Sequence, residues 1–404
     1  MKKNNIKVVV AMSGGVDSSV AAALLKRAGF DVIGIMMKFW KDTKGTAQSS
    51  SNRCCSFESE QLARAVAKKI NIPFYVLNVE KEFKKKVVDY FLKEYKKGNT
   101  PNPCVACNKE IKFGFLIKKA LSLGADFVAT GHYARASLLR SATNRRSPTD
   151  CRSAINFFPS AGKPPLSCGT SGPGTTKSLL PRSFQILLKG RDKEKDQSYF
   201  LWQLSQAQLS HVLFPVGKYT KPEVRKLAKK FKLPTAETPE SQEVCFVADT
   251  TNNFLKKYLK TKPGLVIEQA QNGANKVIGQ HNGLWFYTIG QRRGLELQQG
   301  PWFVVNKDFK KNVLVVSKNK KDLLKKELIV KNVNWTCPPK FCGAKPGRVK
   351  VKIRYRSKEA SADVFMLGNK RARVVFDHSQ KAITPGQSAV FYVGEELIGG
   401  GVIK

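Results

Sequence analysis

The sequence predicts an α/β domain built on a parallel sheet, followed by a small central domain and a C-terminal β-barrel. Over residues 1–135, short apolar runs alternate with amphipathic helical segments, a pattern typical of parallel βα units. A turn rich in Gly and Ser directly follows the first apolar run. From Gly264 onward, short strand-like runs separated by Gly or Asn replace the helical pattern, which favours a small barrel or sandwich.

The α/β part alternates four strands with four helices. The predicted strands are IKVVVAM, DVIGIMM, IPFYVLNV and DFVATG. The predicted helices are SVAAALLKRAG, SEQLARAVAKKI, KEFKKKVVDYFLKEYKKG and KEIKFGFLIKKALSLG. Gly29 and Gly124 stand where C-caps are expected. Because ligands of parallel sheets bind beyond the carboxyl ends of the strands, the turn after the first strand belongs to the ligand-binding edge.

A segment from Ser137 to Arg182 interrupts this pattern. Half of its residues are Ser, Thr, Pro or Gly and it has little apolar periodicity, so it is predicted to be a disordered insertion. Order returns with the strand-like FQILLKG, the helix-like SYFLWQLSQAQLSHVL, and a helix in TKPEVRKLAKKFKL. Thr220 and Glu223 have capping-box spacing at the start of that last helix.

The remaining chain is predicted to be β-rich. Central strands are expected at GLVIE, KVIGQ, LWFYTIG, WFVVNKD and VLVVSK, and further strands at ELIVKNVNW, GRVKVKIRY, ASADVFM, ARVVFD and SAVFYVGEELIGGGVI. The predicted domains are residues 1–215, 216–325 and 326–404.

Charge and cysteine content indicate the class of protein. The 404 residues carry 71 Lys plus Arg against 30 Asp plus Glu, a formal charge of +41. Such a charge favours a nucleic-acid partner, although a basic bias of the host proteome would give the same number. No run is apolar enough to cross a bilayer and no signal-peptide pattern is present, so we expect a cytoplasmic protein without a membrane partner. The nine cysteines are then expected to be reduced.

The turn VAMSGGVDSSV has two interpretations. Paired glycines and short polar side chains leave backbone N–H groups uncovered at a helix N-terminus, where the helix dipole favours phosphate. Alternatively, Asp17 and Ser18 are ordinary capping residues. The kinase-type P-loop is excluded, because its Lys and its spacing are missing.

The stretch TPNPCVACNKEIKFG, residues 100–114, holds two cysteines before a helix predicted to begin near Lys109. A thiol at a helix N-terminus close to lysines has a lowered pKa and becomes a better nucleophile, which points to Cys107. Cys104 and Cys107 also have zinc-ligand spacing, with Cys54 and Cys55 as further ligands, although a second CxxC is missing. A buried inert pair is the third possibility.

Nine segments occur in the same order as in one known family. SGGVDS, MMKFW, TPNPCVACNKEIKFG, ATGHYAR, KDQSYFLWQL, SQEVCFV, YTIGQRRG, RVKVKIRYR and PGQSAVFY together resemble the tRNA-specific 2-thiouridylase family, within the superfamily of PP-loop ATP pyrophosphatases. The likeness covers nearly the whole chain apart from the insertion. It implies a PP-loop domain of the adenine nucleotide alpha hydrolase type.

The resemblance implies sulfur transfer to the wobble uridine of tRNAs for glutamate, glutamine and lysine. ATP, with Mg²⁺, would adenylate the 2-carbonyl oxygen, and sulfur from a protein persulfide would displace AMP, leaving a disulfide as the resolved product. A cysteine desulfurase or a relay protein would supply the persulfide. Cys107 corresponds to the nucleophile and Cys245 to the persulfide carrier. From its local pattern alone, Cys245 would be a buried cysteine in a strand.

The resemblance also assigns binding residues, with no metal ligand among them. ATP would be held by Ala11, Met12, Ser13, Gly14, Gly15, Val16, Asp17, Ser18, Met37 and Gly131. The tRNA would contact Asn102, Pro103, Cys104, His132, Lys195, Asp196, Gln197, Arg354, Tyr355 and Gln387. Many family members have Asp where this chain has Cys104, so this thiol is either a tolerated variant or a participant in the thiol chemistry.

Two other functions are compatible with parts of the sequence. A PP-loop ligase acting on a small molecule would share the turn but not require Cys107 and Cys245. A basic RNA-binding protein with a vestigial turn would retain tRNA without turning over ATP.

Overall fold

The computed structural model describes residues 6–42, 56–140, 183–239, 244–247, 249–269, 275–337 and 348–404. Its strands are β1 (Lys7–Ala11), β2 (Asp31–Lys38), β3 (Phe74–Asn78), β4 (Phe127–Ala129), β5 (Ala134–Arg140), β6 (Ser183–Lys189), β7 (Val212–Leu213), β8 (Gly264–Glu268), β9 (Lys276–His281), β10 (Phe303–Asp308), β11 (Val313–Ser317), β12 (Leu324–Trp335), β13 (Arg348–Lys352), β14 (Ala360–Met366), β15 (Ala372–Lys381), β16 (Ser388–Val393) and β17 (Glu396–Ile403).

The α-helices are α1 (Val16–Arg27), α2 (Phe57–Lys69), α3 (Glu80–Phe83), α4 (Asp89–Lys96), α5 (Pro103–Cys107), α6 (Leu116–Ser122), α7 (Gln206–Leu209), α8 (Lys221–Lys230) and α9 (Thr251–Tyr258). Two π-helical segments, Lys84–Val88 and Asn108–Phe115, join α3 to α4 and α5 to α6. Short 3₁₀ turns cover Ser198–Phe200, Leu284–Phe286 and Lys320–Leu323. No helix in the described parts of the chain is long and apolar enough to span a membrane.

The first sheet has the strand order β3-β2-β1-β4-β7, with all its neighbours parallel. Its centre is buried on both faces. Val8 and Val10 pack in one core with α1, α2 and α8, whereas Val9 packs in the opposite core with α4 and the helix through Cys107. This sandwich of helices around an apolar sheet confirms the predicted parallel α/β domain.

The other two domains are β structures. A four-stranded sheet, β10-β11-β8-β9, forms the central domain. Strands β12 to β17 close a six-stranded antiparallel barrel, since β12 pairs with both β15 and β17. The hairpin of β5 and β6 extends this sheet through the pairing of Leu187 with Leu397, which joins the first domain to the barrel.

Three local predictions are wrong. The apolar stretch SYFLWQLSQAQLSHVL is not one helix, because it divides into a 3₁₀ turn, the short α7 and β7, the fifth strand of the parallel sheet. The run LWFYTIG forms a 3₁₀ turn rather than a strand. Residues 137–140, predicted to open the disordered insertion, complete β5 in pairing with β6. The rest of the insertion, with Cys151 and Cys168, lies outside the described residues.

The capping box of α8 is confirmed, with the backbone N–H of Thr220 donating to Glu223 Oε2 at 2.7 Å. This helix packs on α1 of the first domain, in the same core as Val216 and Leu233. The domain boundaries at residues 215 and 325 stay predictions, and the packing of α8 favours a later end for the first domain.

Candidate active site

A cavity of about 280 Å³ lies at the carboxyl edge of the parallel sheet. It joins the turn after β1 to two cysteines that are 138 positions apart in the chain, Cys107 and Cys245. Its wall consists of Ala11, Met12, Ser13, Asp17, Ser18, Met37, Phe39, Phe83, Val87, Pro103, Cys104, Cys107, Asn108, Lys112, Thr130, Gly131, His132, Gln197, Phe200, Val244, Cys245 and Phe246. The fold therefore brings together most of the residues that the sequence predicted to bind nucleotide and to carry sulfur.

The turn between β1 and α1 is shaped by a glycine that no other residue can replace without rearrangement. Gly14 has φ +75°, and a Cβ atom there would lie 2.3 Å from the backbone oxygen of Ser59 in α2. Ser18 Oγ accepts from the N–H of Ser13 at 3.2 Å and donates to Gly15 O at 3.1 Å. These bonds hold the turn tightly against the first turn of α1, where backbone N–H groups favour an anion.

Gly131, in the loop after β4, comes into close contact with the same turn. A Cβ atom at this position would lie 2.7 Å from the backbone nitrogen of Ser18 and 3.0 Å from Asp17 Cβ. Only a residue without a side chain lets the two loops meet. Part of the cavity wall is thus formed by the turn after β1 and the loop after β4, which follow two neighbouring strands of the sheet.

Asp17 is held by two residues that the sequence reasoning missed. Lys221 Nζ donates to both carboxylate oxygens of Asp17, at 2.7 and 2.8 Å, and Tyr133 Oη donates to Asp17 Oδ1 at 2.7 Å. The Lys221 side chain is only 9% exposed. Lys221 follows the capping Thr220 at the start of α8, a position whose sequence context does not indicate a buried ion pair. The contact with Asp17 spans 204 positions and has no local signal.

The helix that carries Cys104 and Cys107 begins earlier than predicted. It starts at Pro103, with the Asn102 side chain accepting from the N–H of Cys104 at 3.2 Å, and not near Lys109. Cys107 is therefore one turn inside the helix and buried, whereas Cys104 occupies the first turn and is exposed. The predicted place of Cys107 at the helix N-terminus is therefore wrong, because the first turn of the helix, where the dipole favours an anion, holds Cys104.

Directly after Cys107 the helix widens into the π-helical segment Asn108–Phe115. Gly114 permits this winding, since a Cβ atom there would lie 2.7 Å from Lys109 O. Gln208 Nε2 donates to Phe113 O at 2.8 Å, and Asn108 Nδ2 donates to Phe200 O at 3.1 Å. π-Helical segments are rare and frequent at functional sites. Here the segment sets the face that Cys107 and Asn108 present to the cavity.

Cys245 reaches the cavity from the short segment 244–247, and its neighbour Phe246 anchors it. The Phe246 ring is fully buried among Phe83, Phe91 and Phe254, with ring centroids 5.3 to 5.8 Å apart. Cys245 itself is partly exposed and packs with Cys107 against the same apolar core. Aromatic packing therefore fixes this thiol at the cavity wall.

His132 forms part of the cavity wall as a buried residue. Its Nδ1 is hydrogen-bonded to Thr130 Oγ1 at 2.8 Å, and its ring lies against those of Phe113 and Phe214. Burial, with a smaller effect of the Lys112 charge, holds the pKa of His132 well below its usual value. A neutral imidazole at neutral pH shapes the cavity without adding charge.

Some of the residues predicted to contact tRNA lie at the cavity or beside it. Gln197 lines the cavity and exchanges backbone and side-chain hydrogen bonds with Tyr133. Tyr355, from the loop after β13, places its ring 4.5 Å from that of Phe200, which also lines the cavity. Exposed Arg354 donates to the backbone oxygen of Lys381 at 2.9 Å.

Asp196 has internal contacts instead. It is 4% exposed and accepts from the N–H groups of Gly190 and Ser198 at 2.9 and 3.1 Å. Its carboxylate shapes the turn that presents Lys195 and Gln197. Gln387 lies away from the cavity, where its Nε2 donates to Thr100 O at 2.8 Å. Asn102 lines a second cavity on the other side of α5.

Cys107 and Cys245 are thiols in this structure, so the disulfide implied by the resemblance is not confirmed. Cys54 and Cys55, considered as zinc ligands, lie outside the described residues. Within the described ranges, no group of three or more His, Cys, Asp or Glu side chains could hold a metal ion.

Three family models match the chain in succession. They are described as "tRNA methyl transferase HUP domain" over residues 6–155 and 177–249, "tRNA methyl transferase PRC-barrel domain" over 252–318, and "Aminomethyltransferase beta-barrel domain" over 325–403. Among solved structures, NMN synthetase from Francisella tularensis matches 31% of this chain and 44% of its own, at 16% identity and a TM-score of 0.21. That likeness is too low to support a conclusion.

Curated relatives match over the full length. The tRNA-specific 2-thiouridylase MnmA of Clostridioides difficile (strain 630) is 42% identical, over 99% of this chain and 98% of its own. The tRNA-specific 2-thiouridylase MnmA 1 of Thermoanaerobacter pseudethanolicus is 43% identical over 100% of this chain and 99% of its own. The tRNA-specific 2-thiouridylase MnmA of Moorella thermoacetica is 42% identical over 98% of this chain and 99% of its own. With its parallel-sheet HUP domain, central PRC-barrel domain and C-terminal β-barrel, this chain belongs to the tRNA-specific 2-thiouridylase family.

Proposed function

We propose that this protein is a tRNA-uridine 2-sulfurtransferase that adenylates the 2-carbonyl of the wobble uridine with ATP and then replaces that oxygen with sulfur. The observation that carries the proposal is the shared cavity, in which the glycine turn after β1 lies in one wall with Cys107 and Cys245. Activation and sulfur transfer need a nucleotide site and two thiols within reach of one base. The names of the relatives, tRNA-specific 2-thiouridylases, support tRNA as the substrate and 2-thiouridine as the product.

The activation step makes oxygen a leaving group. The uridine 2-carbonyl oxygen attacks the α-phosphate of ATP, pyrophosphate departs, and the base becomes an adenylate. Residues 11–18, Met37 and Gly131 are proposed to hold ATP, with the backbone N–H groups of the turn facing phosphate. Mg²⁺ would be held mainly by the phosphates, with Asp17 as the nearby carboxylate, and would neutralise phosphate charge.

The transfer step uses both thiols. A terminal sulfur carried as a persulfide on Cys245 attacks C2 of the adenylated base, the carbon–oxygen bond breaks, and AMP leaves. The thiolate of Cys107 then attacks the inner sulfur of Cys245, which releases the 2-thiouridine and leaves a Cys107–Cys245 disulfide. A thiol reductant restores both thiols, and a cysteine desulfurase or a relay protein reloads Cys245.

The apolar surroundings of the cavity assist this chemistry. Part of the cavity wall is apolar and offers no competing hydrogen bonds; it consists of Phe39, Phe83, Val87 and Phe246. Such a wall would exclude the water that hydrolyses an adenylate. The partly exposed Tyr355 beside Phe200 offers an aromatic surface at the mouth for an unstacked base. The anticodon loop is proposed to contact Lys195, Gln197, Arg354 and Cys104, and the reaction is proposed to take place in the cytoplasm. Asp196 and Gln387 would act indirectly, by holding the protein loops that lie beside the bound anticodon loop.

The reaction is tested by incubating the protein with ATP, Mg²⁺, a persulfide donor and transcripts of tRNAs for glutamate, glutamine and lysine. Mass spectrometry of the digested tRNA should show a sulfur-for-oxygen exchange at the wobble uridine, with one AMP and one pyrophosphate per exchange. The Cys107→Ala and Cys245→Ala variants should lose the product. Cys245→Ala should still release pyrophosphate, because adenylation precedes sulfur transfer.

Other outcomes distinguish other functions. A mass gain of one methyl group would support the methyltransferase activity for which the matching family model is named and would overturn the proposal. ATP turnover that ignores tRNA and both cysteines would indicate a ligase for a small molecule. Retention of tRNA without ATP turnover would indicate an RNA-binding protein. The Cys104→Asp variant, which restores the residue common in relatives, should keep activity if Cys104 is a tolerated replacement.

A further inference from the structure

A half-buried lysine of the central domain contacts the segment that leads into α5, the helix that carries Cys104 and Cys107. Lys307 Nζ, on β10, donates to Gly98 O at 2.6 Å and to Tyr287 O at 2.8 Å. Gly98 directly follows the C-cap of α4. Burial removes hydration from the ammonium group of Lys307 and lowers its pKa to about 8. The carbonyl groups at a helix C-terminus are favourable partners for a cation.

The central domain makes two further close contacts with residues 98–100. Gly98 has φ +84°, and a Cβ atom there would lie 2.1 Å from the Phe309 ring. Thr288 Oγ1 lies 3.1 Å from Thr100 Oγ1. The central domain therefore holds residues 98–100 through one cation, one hydroxyl pair and one aromatic ring.

The C-terminal barrel holds the same segment from another side. The N–H of Thr100 donates to Pro385 O at 2.8 Å, and Gln387 Nε2 donates to Thr100 O at 2.8 Å. A Cβ atom on Gly386 would lie 2.8 Å from the nitrogen of Thr100. Residues 98–100 thus form a junction at which all three domains meet, and we call it the three-domain junction.

The three-domain junction lies immediately before the helix of the active site. Pro101 and Pro103 limit backbone rotation between Thr100 and the first helical turn, so a shift of Thr100 passes to that turn. The helix then places Cys104 and Cys107 in the cavity wall. We propose that Lys307 is a positioning residue for this helix, through which the central domain sets the location of Cys107. Its effect on thiolation rests on the proposed function, whereas its effect on thiol burial does not.

The test compares Lys307→Met with Lys310→Met, a matched change of an exposed lysine that follows β10. Alkylation by iodoacetamide is followed by peptide mass spectrometry, with exposed Cys104 as the internal reference for buried Cys107. In Lys307→Met the ratio of Cys107 to Cys104 alkylation should rise at least about fivefold, which corresponds to about 1 kcal/mol. In Lys310→Met it should stay at the wild-type ratio, and Lys307→Arg should restore most of the difference.

Turnover gives a second readout. Lys307→Met should lower kcat for thiolation while leaving KM for ATP unchanged, because the three-domain junction does not touch the glycine turn. Equal alkylation ratios in Lys307→Met and Lys310→Met would overturn the positioning role. Should Lys307→Met not fold, Thr288→Val removes another contact of the three-domain junction and must raise the same ratio. Absence of thiolation by the wild type would refute the proposed function but leave the alkylation result valid.

Discussion

The two ends of the candidate active site are held by different interactions. At the nucleotide end, backbone groups and an ion pair fix the glycine turn, with Lys221 and Tyr133 both on Asp17. At the sulfur end, the packing of Phe246 in an aromatic cluster places Cys245. Hydrogen bonds and close backbone contacts hold the turn directly, whereas Cys245 is held through the packing of its neighbour Phe246. Because different interactions fix the two ends, substitutions should affect the nucleotide end and the sulfur end separately.

The largest effect is expected from Gly14→Ala at the nucleotide end. The added Cβ conflicts with the backbone of Ser59, so the turn must move, and a shift of about 1 Å in a binding group can cost about a hundredfold in rate. We expect kcat/KM for ATP to fall more than about a hundredfold. Calorimetry of ATP binding checks the cause.

Gly29→Ala is the matched control for this variant. Gly29 also has a positive φ, +87°, but nothing lies within 4 Å of its Cβ position. It should lose about 1 kcal/mol of stability and keep its affinity for ATP. Equal ATP binding by both variants would show that the close contact with Ser59 is unimportant.

Phe246→Ala should produce an intermediate effect that is confined to the sulfur end. Removal of this buried aromatic anchor weakens the packing that holds Cys245 in the cavity wall, and a loss of about 2 kcal/mol in that packing corresponds to about a thirtyfold fall in thiolation. Cys245 should react faster with iodoacetamide while pyrophosphate release persists. Phe376→Ala, equally buried in the barrel core, should lower stability without exposing Cys245. If both variants expose Cys245 equally, Phe246 has no specific anchoring role.

Lys221→Met should have the smallest effect of the three. The variant leaves the partly exposed Asp17 carboxylate without its cationic partner beside the phosphate site, at a cost of about 1.4 kcal/mol, because water replaces part of the lost interaction. We expect KM for ATP to rise about tenfold with little change in kcat. Lys229→Met, an exposed lysine on the same helix whose side chain is 63% exposed, should leave both constants unchanged. A fall in kcat alone would place the role of Lys221 elsewhere.

Local pattern predicted most of the fold. The alternating apolar runs of the first domain, the capping box of α8 and most of the barrel strands are confirmed. The failures occurred where burial removes periodicity. The segment after residue 197 is apolar because it packs between the parallel sheet and the barrel, where Trp202 Nε1 donates to Ser388 Oγ. Its apolar composition resembles that of a buried helix, but its backbone does not form one continuous helix.

The candidate site was predictable only in part. The glycine turn and both cysteine motifs were visible as short sequence patterns, and the structure brings them to one cavity. The helix start at Pro103 was not predicted, because the stretch TPNPC has the composition of a loop and conceals the cap by Asn102. The binding roles assigned to individual residues stay predictions.

The sequence by itself determined most of the strands, the glycine turn and the positions of the thiols, because each depends on residues that are neighbours along the chain. Only the tertiary structure decided that Lys221 holds Asp17, that Phe246 anchors Cys245 and that Lys307 reaches Gly98. Lys221 and Lys307 each contact a partner about two hundred positions away, and Phe246 packs against Phe91, which also lies far from it along the chain. Their energies come from burial and geometry that no local pattern encodes.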